Sequence, residues 1–327
     1  MNILVAVFSA GPAWTLPRAF VDQLRRDFPH HTFLDAWSAE ALSRHLPEAD
    51  VAFSAAIDRS AFASLTRLRW VQSPAVGVGG MLGPELVASP IVVTSARGVR
   101  ARAIAEHVLG VTIALARQLP LVMRRQSAHV WALNEIETSG SVRTLLGRRM
   151  AIIGLGAIGL EVARLAAPFG LRVSAIRRRA NLPLPPSVEE ALPPDRLFDL
   201  LEQSDVVVLS APLTAETTGL INQQALERIK RRAFLVNVGR GKLLDDDAVV
   251  EALRDGRLGG AALDVFTKEP LDAASPYWDL PNVIITPHIA GAMEDYWTPL
   301  VALFADNLRR FEAGQPLMNV VDKTAGY

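Results

Sequence analysis

The chain has 327 residues, half of them hydrophobic and 21% charged, with 34 basic side chains balanced by 34 acidic ones and no cysteine. That length predicts two domains, and zero net charge argues against a nucleic-acid partner or a membrane-surface helix, both of which select for a basic excess. Without cysteine there are no disulfides, thiolate nucleophiles, iron–sulfur clusters or thiolate-held zinc, and the expected setting is the cytoplasm.

No apolar run approaches the ~18 residues of a membrane span. Residues 1–8 read as a buried first strand rather than a signal peptide, because no basic residue precedes Arg18. From there β-rich runs at 3–8, 32–34, 51–54, 69–72 and 91–94 alternate with helical stretches at 16–28 and 39–46. Such alternation predicts a parallel sheet covered by helices. Turn-rich segments at 73–83 and 95–98 close the series, and 101–119 reads as one long helix stopped by Pro120. The alternation restarts at Met150, with six strands predicted at 151–153, 172–176, 205–209, 234–238, 260–265 and 283–286. Helices are expected at 157–169, 197–202, 225–229 and 246–254. Residues 183–194 hold five prolines and read as a surface loop. The last helix, 294–312, aligns Tyr296, Leu300, Phe304, Leu308 and Phe311 on one face and is expected to return to the first domain.

Gly154-Leu155-Gly156-Ala157-Ile158-Gly159 directly follows a strand and opens a helix. In that context the glycines allow a tight turn, close approach of a pyrophosphate and close helix–strand packing, so the segment reads as a dinucleotide site. About 20 residues on, NAD-binding chains carry an acid for the ribose hydroxyls. Here Arg177-Arg178-Arg179 stands instead. A guanidinium pairs with a 2′-phosphate where a carboxylate would repel it, so NADP(H) is expected over NAD(H), with Arg177 and Arg178 as the phosphate ligands.

Several further blocks extend this pattern: Gly147-Arg148-Arg149-Met150, Asp205 to Thr214 with Pro212, Asn237-Val238-Gly239-Arg240-Gly241, Leu263-Asp264-Val265-Phe266, Lys268-Glu269-Pro270 and Thr286-Pro287-His288-Ile289-Ala290-Gly291. Together with the glycine segment they resemble the D-isomer-specific 2-hydroxyacid dehydrogenase family, glyoxylate and hydroxypyruvate reductases in particular. The resemblance covers most of residues 96–319. It implies two doubly wound parallel-sheet α/β domains: a flavodoxin-like substrate domain from 1–97 and 292–327, and a Rossmann-type cofactor domain from 98–291, with the active site in the cleft between them. It further implies that Arg240 holds the substrate carboxylate and that His288 is the proton donor. Glu269 would orient the His288 ring and raise its pKa. Asp264 would bind the nicotinamide carboxamide, with Pro212 and Val238 also lining the cofactor.

In the first domain Val76 and Gly77 match the substrate loop, although Gly79 stands where the family usually has aspartate. Arg100 is either a substrate contact or a surface arginine. Glu106 and His107 read as structural. The other histidines, His30, His31, His45 and His129, lack metal-ligand spacing, so no metal is expected. Residues 127–142, with Trp131, resemble the family's dimer arm, and a homodimer is expected. The overall expectation is an NADP(H)-dependent reductase interconverting a small 2-keto acid and its D-2-hydroxy acid. Glutamate at 269, where formate dehydrogenases carry glutamine, argues against that branch, and the chain length argues against the phosphoglycerate branch. The rival reading is a nicotinamide-sensing corepressor on the same fold.

Overall fold

Strands buried along their whole length need cover on both faces, which parallel sheets obtain from crossover helices. Val51–Ser54, Val206–Leu209 and Ala233–Asn237 are buried at every position. The computed structural model describes residues 1–9 and 14–326, and the chain divides into two units, Met1–Val99 with Met293–Tyr327 and Arg100–Ala292.

In the first unit β1 (Asn2–Ala6), α1 (Arg18–Asp27), β2 (Thr32–Asp35), α2 (Ala39–His45), β3 (Val51–Ser54), β4 (Trp70–Gln72), α3 (Pro84–Ala88) and β5 (Val92–Thr94) follow one another. The five strands pair in parallel in the order β2-β1-β3-β4-β5.

The second unit opens with α4 (Ala101–Ala116), α5 (Leu119–Ser127) and α6 (Leu133–Thr138). Then come β6 (Arg149–Ile153), α7 (Ala157–Ala166), β7 (Arg172–Ile176), β8 (Glu190–Leu192), α8 (Leu197–Gln203), β9 (Val206–Leu209), α9 (Gln223–Arg228), β10 (Ala233–Asn237), α10 (Asp246–Arg254), β11 (Leu258–Leu263) and β12 (Val283–Ile285). Its parallel sheet has seven strands in the order β12-β11-β10-β9-β6-β7-β8. The long helix α11 (Trp297–Glu312) belongs to the first unit. Among the described residues no helix is long and apolar enough to cross a membrane.

Two local readings change. The proline-rich loop contains a seventh strand, β8, because Glu190–Leu192 between its prolines pair with β7 and become the sheet's edge. Pro120 does not merely stop a helix. Gln118 turns the chain at φ 57°, and Pro120 sits in the first turn of α5, where a missing N–H costs nothing. The stretch 127–142, which resembles the family's dimer arm, carries the short helix α6.

The apolar stripe of α11 packs on the first sheet, with Phe304 stacked on Phe53 and Trp70. One fully buried polar residue interrupts the stripe. Asn307 donates to Gln72 Oε1 (3.3 Å) and to the Met318 carbonyl (3.1 Å), and its Oδ1 accepts the Met318 N–H (2.7 Å). Gln72 Oε1 also accepts from Thr94, whose hydroxyl accepts from Trp70 Nε1. At the same unit's rim His30 and His31 both meet Glu312, at 2.6 and 2.7 Å, joining the α1–β2 turn to the end of α11. Replacing Asn307 with alanine leaves the half-buried N–H and carbonyl of Met318 without their partner, while Gln72 Oε1 keeps Thr94, so Asn307→Ala should lose about 1–3 kcal/mol of stability in urea or thermal unfolding; an unchanged midpoint would contradict this account of the network.

Candidate active site

In an all-parallel sheet every strand delivers its following loop to the same edge, and ligands bind where the strand order reverses. In the second unit the chain runs outward from β6 to β7 and β8, then returns to β9 on the other side of β6. The loops after β6, β9, β10, β11 and β12 carry Gly154–Gly159, Pro212, Val238 with Arg240, Asp264 and His288 respectively.

The glycine segment fits a dinucleotide. Gly154 has φ +101°, and a Cβ there would stand 2.6 Å from the backbone of Ala211, so the β6 and β9 loops meet only because this residue is glycine. Ser210 Oγ closes the same contact by donating to the Gly154 carbonyl (2.8 Å). At Gly156, by contrast, a Cβ would meet nothing within 4 Å. The residue is exposed and no side chain caps α7, so the first amides of that helix remain available for phosphate oxygens. Leu155 is buried and Ile158 packs beside it in the core, so these two shape the loop from below. Ala157 opens α7. Pro212 is exposed at the end of β9, and Val238 is buried after β10.

Arg240 is positioned by buried Asn237, whose Oδ1 accepts from Gly239 N and whose Nδ2 donates to the Arg240 carbonyl, both at 3.0 Å. Immediately after it, a Cβ on Gly241 would stand 1.9 Å from the carbonyl carbon of Phe266. The Arg240 turn is thus pressed onto the turn that carries Glu269. Glu269 Oε1 accepts the Phe266 N–H (3.0 Å), while Oε2 lies 2.7 Å from His288 Nδ1. Burial would raise the Glu269 carboxyl. The hydrogen bonds of His288 and Phe266 and the charges of His288 and Arg240 overcome that and hold it below its ordinary value. An ionised carboxylate only accepts, so His288 carries hydrogen on Nδ1, and Nε2 is the ring nitrogen left outside this pair.

Asp264, 3% exposed, organises the His288 segment. Its Oδ1 accepts from Thr286 Oγ1 (2.6 Å) and Ile289 N (2.9 Å), its Oδ2 from Ala290 N (3.0 Å), and its main-chain carbonyl from His288 N (2.9 Å). His288 itself has φ +55°, a conformation that a residue other than glycine adopts only when its surroundings impose it. Asn237 and Thr286 open two of the motif blocks, but nothing in the sequence gives either of them these partners.

Three readings are altered or stand apart. Arg177 is turned into its own loop, with Nη2 donating to the Ala180 and Leu182 carbonyls, whereas Arg178 and Arg179 are exposed. The unpaired carbonyls of a tight, proline-flanked loop compete for the nearest guanidinium, and Arg177 props that loop. Arg100 precedes the first residue of α4 and lies against Gly291, where a Cβ would come 3.0 Å from its Cδ. Val76 and Gly77 are exposed residues of the first unit, in the bend after β4.

A loop that fits a dinucleotide pyrophosphate, on the same sheet edge as a paired histidine, defines a nicotinamide-dependent dehydrogenase. Residues 109–290 match the family model described as "D-isomer specific 2-hydroxyacid dehydrogenase, NAD binding domain", and the chain belongs to that family. A putative 2-hydroxyacid dehydrogenase of Haemophilus influenzae is 34% identical over 302 residues, covering 86% of this chain and 92% of the relative. A glyoxylate reductase of Korarchaeum cryptofilum is 32% identical over 329 residues, covering 94% and 96%. Among solved structures, an NADPH-dependent glyoxylate/hydroxypyruvate reductase of Sinorhizobium meliloti, in complex with NADP and sulfate, superposes with a TM-score of 0.83 at 26% identity, covering all of both chains. The protein is thus a 2-hydroxyacid dehydrogenase whose second unit is a nicotinamide-cofactor domain.

Because the Glu269 carboxyl is held low, its pairing stabilises the fold above the ordinary carboxyl range, near pH ~4.3, and this contribution is lost as pH falls through the lowered value. Glu269→Gln should therefore melt below the native protein at pH 7, with the gap closing below about pH 4. A pH-independent gap would mean that the carboxylate charge contributes nothing.

Proposed function

We propose that the protein is an NADP(H)-dependent reductase of glyoxylate and hydroxypyruvate, forming glycolate from the first and the D-2-hydroxy acid from the second. The observation that carries the chemistry is the 2.7 Å pairing of His288 Nδ1 with Glu269 beside the Arg240 turn. When bound, the reduced nicotinamide supplies hydride to C2 of the keto acid. Arg240 binds the substrate carboxylate and draws charge from the keto oxygen, a task suited to a planar cationic fork. His288 delivers a proton to that oxygen from Nε2, and ionised Glu269 holds the ring and compensates its charge. Val76 and Gly77 offer backbone N–H groups to the substrate, and Asp264 meets the nicotinamide carboxamide.

The preference for the 2′-phosphorylated cofactor rests on the absence of an acid after β7 and on two exposed arginines there, Arg178 and Arg179. Arg178 takes the phosphate, with Arg177 supporting the loop. The NADPH dependence named for the Sinorhizobium meliloti relative agrees with this reading. A homodimer in the cytoplasm completes it. Trp131 is 91% exposed, with Met123 at 65% and Leu133 at 50% on the adjoining helices, an apolar surface suited to a second copy of the chain.

Absorbance loss at the reduced nicotinamide band, followed with glyoxylate and hydroxypyruvate, should be faster with NADPH than with NADH; the reverse preference would refute the arginine argument, and no turnover of either acid would refute the substrate class. Arg240→Ala should raise KM and lower kcat, with kcat/KM falling at least ~100-fold, as expected for losing a bidentate charged contact. Trp131→Glu should shift the sedimenting species from dimer to monomer, and an unaltered dimer would exclude the arm from the interface.

A further inference from the structure

His107, on α4, reads from the sequence as structural, yet its side chain reaches the segment that carries the proton donor. Its Nε2 lies 3.3 Å from Thr286 Oγ1. Thr286 has one hydroxyl proton, and Asp264 takes it: the 2.6 Å contact ends on a carboxylate oxygen, which only accepts. The hydrogen in the His107–Thr286 contact must therefore come from His107, which fixes it on Nε2. Burial pushes this imidazole below its ordinary pKa, opposed by the charge of Asp264, so the ring works as a neutral Nε2–H donor.

On the reading of His288 as proton donor, we infer that His107 is a positioning residue for the reaction: through Thr286 it orients the Asp264 carboxylate that anchors the backbone at and after His288. The chain of contacts is unbroken. His107 fixes the hydroxyl rotor of Thr286, Thr286 fixes one carboxylate oxygen of Asp264, and that carboxylate holds the amides of Ile289 and Ala290. The held segment needs such a clamp, because His288 sits in the left-handed region at φ +55° and relaxes from it when its neighbours are released. Relaxation would rotate the imidazole away from Glu269 and misdirect Nε2, while leaving the Arg240 turn in place. The loss should accordingly fall on kcat rather than on substrate binding.

The test compares His107→Leu, His107→Asn and His107→Gln in the full-length protein. Glutamine places an N–H donor near the position of Nε2; asparagine keeps polarity but its donor stops short; leucine removes it. Expected are a kcat for glyoxylate reduction lowered about tenfold in the Leu and Asn variants, KM within about twofold, and a near-native kcat in the Gln variant. Adding His107→Leu to Thr286→Val should cost nothing beyond Thr286→Val alone, since both break one chain. Independently of turnover, hydrogen exchange at the Ile289 and Ala290 amides should quicken about tenfold in the Leu and Asn variants and stay native in the Gln variant. The Asn variant decides the question if the Leu variant does not fold. Native kcat and native exchange in the Leu or Asn variant, or a Gln variant as impaired as these, would overturn the inference. If the unmodified protein reduces no keto acid, the proposed function falls, and the exchange measurement still decides whether His107 holds this segment.

Discussion

A carboxylate removed from water at the end of a central strand must be satisfied by hydrogen bonds or it costs several kcal/mol, and Asp264 finds its donors in the segment 286–290. This requirement wraps the chain after β12 around the end of β11 and determines where His288 stands. Moving Asp264 out of register by one residue would turn its side chain to the other face of the sheet and release the segment. His288, the proposed proton donor, is thus placed by a buried charge at the strand end next to the one that carries Arg240, and the long-range order of the site follows from the satisfaction of one group.

Close approach of backbones does the rest. Gly154 lets the β6 and β9 loops touch, and Gly241 lets the Arg240 turn rest on Phe266, so that each pair of loops is locked at a separation no side chain would permit. Because the sheet is wholly parallel, all of these loops lie on one edge. The charge of Arg240 then reaches Glu269, whose lowered carboxyl in turn keeps hydrogen on His288 Nδ1. Backbone geometry, buried charge and proton placement are successive consequences of strand order and glycine position.

The turn after β7, to which the proposed cofactor preference is assigned, is organised differently. It is a short loop with its own unsatisfied carbonyls, and Arg177 is drawn into them. A run of three arginines therefore divides its work between supporting the loop and facing solvent, a division that composition does not encode. The same principle separates His107 from the remaining histidines. A residue that looks structural on its helix acquires a chemical neighbour only when β12 brings Thr286 alongside.

The strand–helix alternation, the glycine segment and its dinucleotide, and the blocks holding Arg240, Glu269 and His288 are legible along the chain, because these are local patterns whose physical requirements lie within a few residues. Tertiary structure alone decided what depends on distant partners: the pairing of β8 with β7, the inward turn of Arg177, the grip of Asp264 on residues 286–290, and the contact between His107 and Thr286 across 179 positions of chain. Hydrogen-bond satisfaction is a property of what surrounds a group in space, and no spacing along the chain records it.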